Sequence, residues 1–286
     1  MSEIDIEYLR QWIGRSDTRS ETLSASAATL LAATLDAERL EFFGGEILPP
    51  LFHWLYFPAA CRLSNIGSDG HPALSGFLPP IPLRRRMWAA GGVDFRRPLL
   101  VGDHVTRTTR IVDISLKVGR SGPLLFVKLH HEIVDGDRRT ALEETQDLVY
   151  RDDARAGERA ATGHPASGGA EWVREVKPDP VLLFRYSAVT FNSHRIHYDR
   201  PYATNVEGYP GLVVHAPLVA TLLLDHLSRN RPNALVTHFE FRAVRPLFDE
   251  APFLLCGRLN ADGKAVSLWS RDAGGALCTD ARAVIE

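Results

Sequence analysis

The sequence predicts an α+β protein built from one unit used twice. A helical start is followed by three long alternating segments between Val105 and Asp152. The same order, helix then strands, returns between Pro217 and Ile285. A short internal repeat also joins the halves. Phe95-Arg96-Arg97-Pro98-Leu99 precedes the first set of strands, and Phe241-Arg242-Ala243-Val244-Arg245-Pro246-Leu247 sits at the corresponding place in the second. Matching order and a matching short repeat together point to duplication of an α+β unit.

The elements follow in chain order. Ile4 to Ile13 has helical spacing and Gly14 is a natural stop. Thr22 or Ser24 can cap a second helix ending near Asp36; its small residues suit close packing on something flat. Pro49 to Pro58 holds His53, Trp54, Tyr56 and Phe57 between prolines, which reads as a loop or short element under a sheet edge. Residues 64–82 are turn chemistry, long enough for a functional loop. From Val105 the pattern is a three-stranded meander with turns at G-R-S-G-P and D-G-D-R-R. Residues 152–178, rich in Ala, Gly, Arg, Glu and Pro, read as a linker. The expected organisation is thus a first unit over 1–151, a linker over 152–178 and a second unit over 179–286. Within the second, 181–191 is strand-like. Pro217 to Ser228 is a strong helix with proline in its first turn, and four strands follow.

Composition bounds the function. The chain has 286 residues, 45% hydrophobic and 24% charged, as in ordinary globular proteins. A net charge of −2 argues against nucleic-acid binding by bulk electrostatics. Cys61, Cys256 and Cys278 are far apart and outside metal-ligand spacing, so they are read as buried, reduced thiols. The acidic N-terminus does not have the form of a secretory signal, and no stretch is long enough to span a bilayer. The cytoplasm is the expected location.

Function concentrates in Tyr186 to Pro217, where His194, His197 and His215 crowd with an aspartate and two arginines between apolar ends. Polar groups at that density are costly to bury unless they are used.

Here a resemblance can be placed. T-F-N-S-H-R-I-H-Y-D-R-P (190–201), followed by P-G-L-V-V-H-A-P (210–217), resembles the hydratase motif of the MaoC-like (R)-specific enoyl-CoA hydratases and dehydratases. R-R-R-M-W-A-A-G-G-V-D-F (84–95) is similar to the non-catalytic N-terminal part of one subgroup. That subgroup contains itaconyl-CoA hydratase, 3-methylfumaryl-CoA (mesaconyl-CoA) hydratase and mitochondrial-type 3-hydroxyacyl-thioester dehydratase. The resemblance implies a double hotdog, with a long antiparallel sheet wrapped round a central helix in each half. It also implies an acyl-CoA substrate and no metal or redox cofactor. A single chain and a homodimer both stay open.

By the same resemblance the family's water-activating histidine falls on His197, and its carboxylate position falls on Asn192. A neutral amide cannot accept a proton at pH 7, so this is a departure. Asn192 can still hold and orient a water, while His197 titrates near neutral pH in its unperturbed state. The family's oxyanion donor falls on the Ala216 N–H, at a helix start where dipole and orphan donor favour an anion. Substrate contacts are implied at His194, Arg195, Tyr198, Arg200, Gly211 and His215. Arg84, Arg85 and Arg86 join them, since arginine forks fit CoA phosphates or a substrate carboxylate. Plainer readings stand beside these: His215 as a cap or core residue, His194 as a tuning or capping residue, and the arginines as a solvated run. Asp199 is either the displaced carboxylate or structural. The expected activity is hydration of a carboxylated enoyl-CoA such as itaconyl-CoA or mesaconyl-CoA. The alternatives are a fatty-acid-type (R)-3-hydroxyacyl-CoA/ACP dehydratase and a non-catalytic acyl-CoA-binding hotdog.

Overall fold

Ten strands form one antiparallel sheet in a computed structural model that describes residues 4–73, 76–119, 122–152 and 163–286. The first half contributes α1 (Ile6–Arg10), β1 (Ser16–Thr22), α2 (Ala25–Thr34), β2 (Arg85–Phe95), β3 (His104–Gly119), β4 (Gly122–Val134) and β5 (Thr140–Arg151). The second contributes β6 (Trp172–Val176), α3 (Pro180–Val189), α4 (Ala216–Asn230), β7 (Val236–Ala243), β8 (Phe253–Leu259), β9 (Ala265–Arg271) and β10 (Leu277–Ile285). The sheet order is β1-β3-β4-β5-β2-β7-β10-β9-β8-β6. Taken from either edge inward, the halves use their strands in the same sequence. They meet at the centre, where β2 and β7 pair from Ala90↔Arg242 to Asp94↔His238. The repeated F-R…P-L segments leave these two central strands. The expected meander and the four late strands are present, although Arg120 and Ser121 of the first turn lie outside the described residues.

Among the described residues the long central helix occurs only in the second half. α4 buries residues on nearly every side, from Leu218 through Leu224 and on to Leu227, and packs against β2, β8, β9 and β10. A helix apolar all round belongs inside a core. In the first half the equivalent stretch of chain, flanked by the bridge Ile47↔Leu100 where α4 has Val213↔Phe248, makes the short 3₁₀ turn Leu63–Asn65 and, before it, the 3₁₀ turn Phe52–Leu55. That turn is tied to β5 by a buried carboxylate: Glu144 accepts from His53 Nε2 and Trp54 Nε1, each at 3.0 Å. α2 does not lie on a flat surface as its small residues suggested. It packs chiefly against α3 and the Phe52–Leu55 turn, because Ala28 and Ala32 let another element approach closely.

Four further expectations are corrected. Residues 181–191 are helical, not a strand. Asp179 caps the helix by accepting from Leu182 N at 2.8 Å, Pro180 occupies its first turn, and Leu183, Tyr186 and Ser187 face inward at helical spacing. The expected linker ends in β6, which pairs with β8 from Trp172↔Gly257 to Val176↔Phe253; its residues 153–162 lie outside the described residues. β1 and β2 are strands that the pattern did not announce. Cys61 is exposed, whereas Cys256 and Cys278 are buried.

Candidate active site

Three pieces of chain converge on a cavity of about 630 Å³, within the usual range for small-molecule sites. The first is the exit of α3. Phe191 N donates to Ala188 O and Asn192 N donates to Ser187 O at 2.8 Å, which is a Schellman termination. The position that normally takes glycine is Phe191, at φ 52°. A bulky residue in that left-handed conformation costs about 1–3 kcal/mol and is found where a chain must be aimed. Here it aims Asn192 into the cavity.

The second piece is the 3₁₀ turn Arg195–His197 facing the start of α4. Val213 N donates to Ile196 O at 3.0 Å, and His197 Nδ1 lies 2.7 Å from Val213 O. A carbonyl only accepts, so Nδ1 carries the proton. Nε2 is then the basic nitrogen, and it has no protein partner among the described residues. Burial pushes the His197 pKa down to about 4, against the raising effect of the Val213 bond. His197 is therefore a neutral base at pH 7. His215, the residue before α4, stacks on it at 3.6 Å between centroids and 19° between planes. Its own Nε2 is 2.8 Å from Ser187 Oγ. Burial holds His215 neutral as well, well below the usual histidine value. Ala216 opens α4 and lines the same cavity, which places its N–H there as an orphan donor at the positive end of the helix.

The third piece comes from the first half. Loop residues Asp69 to His71 lie against Ser193–Arg195. Arg195 N donates to Asp69 O at 2.9 Å, Ser193 Oγ donates to Gly70 O at 2.5 Å, and Arg195 Nη1 donates to Ser68 O at 2.9 Å. Gly70 has φ +89°, and a Cβ there would overlap the Ser193 carbonyl. Gly70→Ala is expected to lower stability by about 1–3 kcal/mol. Urea unfolding measures this, and a wild-type midpoint would show that the clamp is not tight.

The clamp brings His71 to the cavity wall, with its ring 4.0 Å from His194. His194 in turn lies 5.3 Å from His197, edge to face. Arg86 of β2 lines the same cavity. Burial first, then the positive charge of Arg86, hold His71 below its ordinary value. Burial, followed by the other histidines and Arg86, does so more strongly at His194. Asp69, His71 and His194 bring three ligand-type atoms within 4.8 Å of one another. However, Asp69 already accepts from the His71 ring at 3.1 Å, and the Arg86 charge acts on all three. This donor set fits a hydrogen-bonded cluster.

The sequence-predicted residues divide clearly. Asn192, His194, His197, His215, Ala216 and Arg86 line one cavity. Asn192 differs in detail: its Oδ1 accepts from His194 N at 3.1 Å, which leaves the NH₂ as its donor face. Arg195, Arg200, Tyr198, Gly211, Arg84 and Arg85 do not line this cavity. Arg195 is held by Asp199 at 2.8 Å and lies over the Tyr202 ring at 4.1 Å. Arg200 pairs with Asp249, and Tyr198 donates to Ser193 O at 3.1 Å. Gly211 makes room for Asp249 Oδ1, which a Cβ would meet at 2.6 Å. Arg85 is buried against Glu207 at 2.9 Å, and Arg84 is exposed on the surface. Asp199 is structural. Paired with Arg195, it also accepts from Tyr202 N at 3.1 Å. His71 was missed because its signal is long-range, although its loop was legible as a functional one.

The family described as hydroxyacyl-thioester dehydratase type 2 matches residues 51–249. A mesaconyl-C(4)-CoA hydratase of Chloroflexus aurantiacus is 45% identical over 251 residues, covering 88% of this chain and 89% of that one. A solved MaoC-like dehydratase superposes with a TM-score of 0.73 at 14% identity, covering 97% and 99% of the two chains. A Mycobacterium tuberculosis protein described as a double hotdog gives a TM-score of 0.58 at 16% identity, covering 96% of each.

Proposed function

The chain belongs to the hydroxyacyl-thioester dehydratase type 2 family, with a double hotdog fold, and from that membership we propose that it is a hydro-lyase that adds water to the conjugated double bond of mesaconyl-C4-CoA or a closely similar carboxylated enoyl-CoA. One observation carries the chemistry: a neutral histidine with a fixed tautomer shares a cavity with the first N–H of a buried helix. Water gives its proton to His197 Nε2 as its oxygen bonds the β-carbon. The π pair moves toward the thioester, and the oxygen that becomes negative is met by the Ala216 N–H. The α-carbon then takes a proton. The NH₂ of Asn192 orients the water. No step requires a resident metal or redox group.

Arg86 supports the carboxylated substrate. It lines the cavity beside the histidines, where a guanidinium can pair with a free carboxylate. Arg86→Gln is expected to lower kcat/KM for mesaconyl-CoA about 100-fold, the loss of a charged hydrogen bond, and to change crotonyl-CoA hydration by no more than about threefold. Following enoyl-thioester absorbance with both substrates measures this. Equal losses on both would remove Arg86 from carboxylate recognition. Absence of wild-type activity on every enoyl-CoA would refute the function.

A second reading rests on the apolar part of the cavity lining, to which the first half contributes Phe77, Leu78, Leu129 and Leu148. That lining suits a longer acyl chain and dehydration of a 3-hydroxyacyl thioester. Long-chain substrates in the same panel decide between the two. No helix among the described residues is long and apolar enough to cross a membrane.

A further inference from the structure

We propose that Asp69 and His71, carried in from the first half, form the second proton-handling group of the site, taking the role that the amide of Asn192 is chemically unable to take. The inference rests on the hydration reading above. Hydration moves two protons, one off water and one onto the α-carbon, and a single neutral histidine serves only the first. The structure supplies a second imidazole with a carboxylate behind it. His71 Nδ1 lies 3.1 Å from Asp69 Oδ2, while Asp69 Oδ1 accepts from the His71 backbone N at 3.0 Å. Both carboxylate oxygens therefore orient one residue. This carboxylate–imidazole order is the one that fixes tautomer and supports imidazolium in hydrolytic triads. Nδ1 is occupied, so Nε2 is the atom left to act, and His71 lines the cavity. Although burial works to raise it, the bond to His71 holds the Asp69 carboxyl below its ordinary range, so it stays an anion.

The titratable and charged groups around His71 come from several elements. Asp69 comes from its own loop and Arg86 from β2, while His194 and His197 come from the segment after α3. Tyr150 of β5 and Tyr202 lie within electrostatic reach of Asp69. A substrate carboxylate paired with Arg86 would cancel the charge that opposes protonation of His71, so binding the substrate would arm the acid. The proton count then balances. In the substrate complex, with Arg86 paired, His71 takes up a proton against Asp69 and, as imidazolium, gives its Nε2 proton to the α-carbon. His197 takes the proton of water, and the hydroxyl stays on the β-carbon. The proton on His197 returns to His71 through His194, whose ring lies between them, or through cavity water. His71 is thus a catalytic residue and Asp69 a positioning one.

The test uses the full chain with mesaconyl-CoA and compares wild type, His71→Gln, Asp69→Asn and the double variant His71→Gln/Asn192→Asp. His71→Gln is expected to lower kcat about 100-fold, with KM within about threefold, and to remove one ionisation from the kcat–pH profile. Asp69→Asn should move that ionisation without removing it. The double variant should recover at least about tenfold, because a carboxyl at 192 can again carry a proton. Wild-type kcat in His71→Gln would overturn the proposal. So would a loss with an unchanged pH profile and no recovery in the double variant, which marks a structural role. Activity lost to a chelator and restored by zinc alone would overturn it in favour of a metal site. If His71→Gln fails to fold by circular dichroism, Asp69→Asn decides, and an unshifted profile overturns the proposal. Wild type inactive on all enoyl-CoAs refutes the hydration reading itself, and this inference with it; activity retained in both wild type and His71→Gln refutes only the inference.

Discussion

His197→Gln is expected to reduce kcat for hydration by about a thousandfold while leaving KM within about threefold, a typical loss for a general base. The magnitude follows from the way the ring is held. Val213 O fixes the proton on Nδ1, burial keeps the ring neutral, and His215 supports one face. All three favour a lone pair on Nε2 at neutral pH. Asn192 offers no replacement, because its Oδ1 is occupied by His194 N and an amide is not a base. The pH dependence sharpens the expectation. With a pKa of about 4, His197 should contribute an acid limb to kcat/KM near pH 4 and nothing between pH 6 and 8. Stopped-flow enoyl absorbance on both proteins checks this. Wild-type kcat in His197→Gln would remove His197 from the mechanism.

The second large effect is on stability. His71, His194, His197 and His215 all titrate below the ordinary histidine value, and burial is the largest cause at each. In the unfolded chain they would bind protons as the pH falls through about 6.5; in the folded, ligand-free chain burial pushes that uptake to lower pH. The unfolded state therefore binds more protons in this window, and stability must fall as pH falls. For His197, with a folded value of about 4, the loss is about 2 kcal/mol at pH 5 and about 3 kcal/mol once both states are protonated. The other three act in the same direction. Against a total stability of roughly 5–15 kcal/mol, the urea midpoint should drop markedly from pH 7.5 to pH 5. Lowered carboxylates such as Asp69 and Asp199 add losses only at lower pH, through and below the carboxylate range. A midpoint unchanged between pH 7.5 and 5 would show that these histidines are not held neutral. His194→Asn should flatten the slope.

Much of this protein is legible in its sequence where pattern and physics coincide. β3 to β5 alternate over long runs, and α4 is apolar at successive turns behind a proline. The motif residues Asn192, His197 and Ala216 line one cavity. Failures came where a local pattern is ambiguous. Residues 181–191 are an apolar run that suits a strand or a buried helix, and the deciding signal was the Asp179-Pro180 start. β1 reads S-D-T-R-S-E-T, an edge strand whose charges hide its alternation. β2 is masked by Arg85, Arg86 and Gly91-Gly92, although it lies at the centre of the sheet. The arginine run could not be sorted by composition, since Arg84, Arg85 and Arg86 go to three different environments and only Arg86 reaches the cavity. His71 meets His194, and its loop meets Ser193, through contacts more than a hundred residues apart in the chain.

The pairing of β2 with β7 has a consequence in mass action. Walls of the cavity come from both halves, and a site split between two polypeptides would come apart on dilution. Here both walls belong to one chain, so each half meets the other at a local concentration that the surrounding solution does not change. The two walls of the cavity thus come together by an intramolecular step.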